Sequence, residues 1–68
     1  MNGKTIATNL KIARIKARLK VEEVAKAMEL TKATIYNYEK DASNVELNKL
    51  FRLAEIYKCN VRDFLNTI

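Results

Sequence analysis

From Leu19 to Lys40 the chain reads LKVEEVAKAMELTKATIYNYEK, and two helical periodicities meet here with room for only a tight turn between them. The first runs from about Val21 to Met28 and turns Val24, Ala25 and Met28 to one face. Glu22 and Glu23 stand in its first turn, where carboxylates favour the helix dipole. The second is opened by Thr31 as N-cap, has Leu30 just before the cap in the hydrophobic-staple position, and turns Ile35 and Tyr38 inward. Its end is expected near Lys40 or Asp41. Its outward face then offers Lys32, Ala33, Tyr36, Asn37 and Lys40, at i, i+1, i+4, i+5 and i+8.

The same periodicity continues on both sides. A first helix starts between Thr5 and Thr8, either of which can cap it, and carries Ile6, Leu10, Ala13 and Ala17 on a core-facing stripe. Ile12 and Ile15 fall on a different face of that helix. A fourth helix spans roughly Val45 to Tyr57, with Asn44 as its cap and Leu47, Leu50, Leu53, Ala54 and Tyr57 at intervals of three or four. Asn60 followed by Asp63 resembles a capping box and opens a last helix carrying Val61, Phe64 and Leu65. Five short helices without a strand make an all-α fold, and with no repeat, low-complexity tract or linker, residues 1–68 read as one domain. There is no proline and one glycine, so Lys, Glu, Asp and Asn must make the turns.

At 68 residues a single core supplies only a few kcal/mol, so part of the stability is expected from a partner subunit. No apolar run approaches the roughly 18 residues that span a bilayer, and the N-terminus lacks the pattern of a secretory signal. A cytoplasmic address is therefore expected. The single cysteine, Cys59, cannot form an internal disulfide and reads as a small buried hydrophobe. With no histidine there is no set of partners for a zinc site or a Cys-His nucleophile, and neither catalysis nor a metal or other cofactor is expected.

The net charge of +5 is unevenly spread. Residues 1 to 20 carry six bases (Lys4, Lys11, Arg14, Lys16, Arg18, Lys20) and no acid, whereas residues 21 to 68 carry seven bases and eight acids. Such a patch suits an anionic partner. On charge alone, a solvated helix face that aids solubility explains it equally well.

The ordered series of residues resembles the lambda-repressor-like helix-turn-helix family, which includes phage repressors, Cro proteins and many small bacterial regulators. The resemblance covers about residues 6 to 65. It is carried by Leu10 and Arg14, by Leu19, Glu23, Val24 and Ala25, by Leu30, Thr31, Thr34, Ile35, Tyr38 and Glu39, and by Asn44, Leu47, Leu50, Leu53, Ala54, Val61, Phe64 and Leu65. Departures are also visible. Glu29 and Asp41 stand where the family usually has glycines, and a non-glycine residue held at positive φ costs on the order of 1 kcal/mol. Lys20 replaces a capping serine or threonine, Val45 a common proline, and Val21 a glutamine that usually reaches the nucleic acid.

The resemblance implies a compact five-helix domain whose helix-turn-helix, about residues 21–40, places its second helix in the major groove. Base contacts then fall to Lys32, Ala33, Tyr36 and Asn37: Lys donates to guanine O6 and N7, Asn bridges adenine N6 and N7, and Ala packs on a thymine methyl. Lys32 opposes the dipole in the first turn of its helix, a small cost that a base contact would explain. Lys20, Thr34, Lys40, Ser43 and Asn44 are candidate phosphate contacts, although the Thr34 hydroxyl can equally serve its own helix turn. Arg14 and Glu39 are implied to form a structural salt bridge between the first helix and the end of the third.

Residues 60–66 and the preceding loop are implied to form a homodimer contact through Tyr57, Val61, Leu65 and Ile68; a monomer with an apolar tail folded on its own core is the alternative. A dimer would set two such helices roughly 34 Å apart on a palindromic site. The expected function is a sequence-specific double-stranded DNA-binding transcriptional regulator, a dimeric repressor of a bacterium or phage, associated with the nucleoid. The rivals are an antitoxin-like protein-interaction module, which the outward Ile12 and Ile15 keep open, and a nonspecific RNA- or DNA-binding basic protein.

Overall fold

The computed structural model describes residues 2–65, and within them all regular structure is helical. The helices are α1 (Gly3–Lys16), α2 (Val21–Met28), α3 (Lys32–Tyr38), α4 (Leu47–Tyr57) and α5 (Arg62–Leu65). α1 lies against α5 and α4, while α2 lies against α3 and α4. Phe64, Leu10, Ile35, Leu53 and Val24, one from each helix, are the largest fully buried side chains. Removing each from water contributes about 1.5–3 kcal/mol. The Tyr57 and Phe64 rings meet edge to face, centroids 6.2 Å apart. The buried Asn9 amide donates to the Phe64 carbonyl at 2.8 Å, which fixes α5 on α1.

Several boundaries differ from those read off the sequence. α1 is capped by neither Thr5 nor Thr8 but by Asn2, whose Oδ1 accepts from the Lys4 N–H at 2.8 Å. Thr8 instead donates its hydroxyl to the Lys4 carbonyl inside the helix. α3 ends at Tyr38, so Lys40 sits in the following turn, its N–H on the Asn37 carbonyl. Asn44 does not cap α4, which begins at Leu47 behind Glu46. The intervening chain is held elsewhere. Ala42 donates its N–H to the Gly3 carbonyl, and Asp41 Oδ1 accepts from both the N–H and the hydroxyl of Ser43. Starting late leaves Leu47 at the edge of α4, 62% exposed instead of in the core.

The turns solve the shortage of glycine in one repeated way. Arg18, Glu29 and Lys58 each adopt the left-handed conformation, with φ of 59°, 58° and 56°. In every case the next residue's N–H reaches back five positions: Leu19 to Arg14, Leu30 to Ala25, Cys59 to Ala54. These are Schellman closures, and the half-buried Leu19, Leu30 and Cys59 supply the apolar contact that accompanies the motif. Asp41, by contrast, is not left-handed; its carboxylate closes its own turn on Ser43.

Candidate nucleic-acid interface

α3 is seated by Ile35, which is 1% exposed, and by the half-buried Tyr38. Thr31 fixes its start: its Oγ1 accepts from the Thr34 N–H at 3.2 Å and lies 2.9 Å from the Thr34 hydroxyl. Helical spacing then sends Lys32, Ala33, Tyr36 and Asn37 to the opposite side, where all four are exposed, Tyr36 to 59%. None of them makes a side-chain hydrogen bond or ion pair among the described residues.

Other candidate residues are placed less favourably for an anion. Ser43 commits both its N–H and its hydroxyl to the Asp41 carboxylate, and those bonds hold that carboxyl below its usual range, keeping a negative charge beside Ser43. Thr34 is half-buried and engaged with Thr31. Lys20 is exposed at the start of α2, but its N–H goes to the Glu23 carboxylate at 2.9 Å, so that helix end already holds an anion. Lys40 and Asn44 are exposed in turns. Val21 is 7% exposed; its side chain belongs to the core, which accounts for a hydrocarbon where the family has a polar residue.

The frame behind α3 is ionic. Arg14 meets Glu39 at two points, Nε to Oε2 at 2.7 Å and Nη2 to Oε1 at 3.2 Å, and donates a third bond from Nη1 to the Leu19 carbonyl at 2.9 Å. One guanidinium thus ties the ends of α1 and α3 to Leu19, just before the start of α2, and the bond to Glu39 raises its pKa. A helix-turn-helix family model matches residues 10–64. The chain belongs to the lambda-repressor-like helix-turn-helix family. No curated protein shows significant similarity to it.

As a member of this Cro/C1-type family, the chain is a DNA-binding helix-turn-helix regulator, and the family is a regulatory rather than an enzymatic one. Among the described residues no cluster of His, Cys, Asp and Glu could hold a metal, and no helix is long and apolar enough to cross a membrane. The residues expected at a dimer contact divide. Tyr57 is 5% exposed and packed on Phe64, so it belongs to the chain's own core; Val61 and Leu65 are half-buried; Ile68 lies outside the described residues. Two exposed apolar side chains were not anticipated as a surface, Leu47 and Phe51, the latter 50% exposed. Their i, i+4 spacing on α4, with Phe51 off the stripe of Leu50, Leu53 and Tyr57, was the available signal. Leu47 and Leu65 line one shallow groove with Ile6 and Val45.

Proposed function

We propose that the chain is a sequence-specific repressor that binds a palindromic operator as a homodimer, with α3 in the major groove of double-stranded DNA. The observation that carries this reading is the exposed set Lys32, Ala33, Tyr36 and Asn37, unpaired among the described residues, on a helix anchored from behind by Ile35 and by the Arg14–Glu39 pair. Lys and Asn offer bidentate hydrogen bonding to guanine and adenine, and Ala an apolar contact to thymine. Lys20, Lys40 and Asn44 are the phosphate contacts, with smaller roles for Thr34 and Ser43, whose hydroxyls are already engaged. The dimer face is the apolar surface of Leu47, Phe51, Val61 and Leu65.

Selection of bound duplexes from a random pool tests both halves of the proposal. Enrichment of an inverted repeat with half-sites about one helical turn apart is expected. An unenriched pool leaves only nonspecific binding, and an enriched site without symmetry removes the dimer. Sedimentation provides the companion measurement: Leu47→Ser with Phe51→Ser shifts the chain towards monomer if this surface is the subunit contact, with the helical spectrum unchanged.

A further inference from the structure

We propose that the groove between α1 and the α4–α5 junction is a docking site for an acidic amphipathic helix of a protein partner. The groove, open on one side, has a volume of ≈ 610 Å³ and is lined by residues that include Ile12, Ala13, Lys16, Lys58, Cys59 and Phe64. Its floor is apolar and its rim is basic. Ile12, 39% exposed, lies at its edge, and Ile15, 55% exposed, extends the apolar face of α1 beyond it, with Lys11 one turn back from Ile15. Lys11, Lys16 and Lys58 form no ion pair among the described residues. Among the described lining residues the one carboxylate, Asp63, accepts from the Asn60 N–H at 3.2 Å and is outnumbered by Lys16 and Lys58.

The chemistry selects the occupant. An open trough beside a helix, with Ile12 on its lining and Ile15 on the adjoining helix surface, suits a second helix that presents leucine-like anchors at i, i+3 and i+4. The unpaired lysines select carboxylates on the flanks of that helix. A nucleic acid offers the isoleucines only isolated thymine methyls, and its phosphates leave an apolar trough unfilled. None of the lining residues belongs to α2 or α3, so the groove and the exposed face of α3 are separate surfaces and can be occupied together. The proposal is independent of the operator reading.

The test uses the isotope-labelled full chain and two synthetic helical peptides of about three turns with identical leucine spacing. One carries glutamates on its polar face and the other lysines. The acidic peptide is expected to shift the amide resonances of Ile12, Lys16, Lys58 and Cys59 with a Kd on the order of 10–100 µM, and the basic peptide to bind at least tenfold more weakly. Lys16→Glu and Ile15→Glu are each expected to weaken the acidic peptide at least tenfold while leaving the thermal transition in place, since both side chains are exposed. Absence of shifts at the lining residues, equal binding of the two peptides, or shifts confined to Leu47 and Phe51 would overturn the proposal. It is also overturned if duplex DNA displaces the peptide, if decanoate fills the groove more tightly, or if Ile15→Glu dissociates a dimer, which would make the occupant a second copy of the chain.

Discussion

Arg14 and Glu39, 25 residues apart, meet through two hydrogen bonds with side chains only 14% and 7% exposed. At that burial, removing one partner strands a charge that water cannot fully reach, whereas removing both leaves a milder loss. Arg14→Leu or Glu39→Leu alone is therefore expected to cost about 3 kcal/mol, and the double variant less than the sum. Urea denaturation of the three variants measures the coupling. Additive losses would mean the pair contributes no joint energy. Loss of the α3 anchor is also expected to weaken DNA binding in each single variant.

The three left-handed residues make a second case. Arg18 and Glu29 each hold a conformation that costs an L-residue roughly 1 kcal/mol and glycine nothing, and both side chains are exposed. Arg18→Gly and Glu29→Gly are expected to raise stability by about 0.5 kcal/mol or more each, a few degrees in the melting temperature of so small a domain. Alanine at either site should give no such gain. A gain from alanine equal to that from glycine would show that the lost side chain, and not the backbone, was responsible.

These turns also show where the sequence was legible. α2 was readable to the residue because Val24, Ala25 and Met28 repeat cleanly and the carboxylates mark its start. Arg18 and Lys58 gave no warning, because the usual marker of a left-handed helix end is a glycine and neither site has one. Glu29 was visible only through the family pattern. The start of α4 was misread because helical periodicity extends beyond the helix itself: Leu47 fits the spacing of Leu50 and Leu53, yet backbone bonds from Ala42 and the Asp41–Ser43 turn delay the first helical turn. The exposed face of α3 was legible because Ile35 and Tyr38 fix its opposite side.

Gly3 is the only glycine in the chain, and its place is set by contact and not by its own φ. A Cβ there would lie within 2.6 Å of Asp41 Oδ1 and 2.7 Å of the Ser43 backbone nitrogen, and closer still to the Ser43 hydroxyl. The hydroxyl can rotate away. The backbone nitrogen cannot, because the Ala42 N–H is bonded to the Gly3 carbonyl at 3.0 Å. Gly3→Ala is expected to lose about 1–3 kcal/mol to overpacking, outweighing the roughly 1 kcal/mol by which alanine favours a helix. A melting temperature at or above that of the parent would show that the Asp41–Ser43 turn yields.

Tyr57 sets the alkaline limit. Burial, helped by the nearby Glu39 carboxylate, pushes its phenol pKa well above the usual value. In the unfolded chain the phenol ionises near pH 10, whereas in the fold it keeps its proton. The unfolded state therefore loses a proton that the native state retains. The contribution is complete below about pH 10 and declines as pH rises, by up to about 1.4 kcal/mol per pH unit. Denaturation at pH 8 to 11 is expected to show a shallower decline for Tyr57→Phe than for the parent, and identical slopes would contradict the assignment.

Lys32 and Asn37 offer the sharpest separation between reading a sequence and holding a backbone. Both are exposed on α3, and neither supports the core, so Lys32→Ala and Asn37→Ala should leave the unfolding free energy within about half a kcal/mol of the parent. On a selected operator each is expected to cost about 1–3 kcal/mol, while affinity for random duplex stays nearly unchanged. Lys40→Ala should behave in the opposite way, weakening all duplexes alike and lowering the salt slope by about one ion. Titrations of operator and random duplex at two salt concentrations distinguish the cases. If Lys32→Ala and Lys40→Ala gave the same uniform loss, Lys32 would be a phosphate contact, and the reading of bases would rest on Asn37 with its neighbours Ala33 and Tyr36.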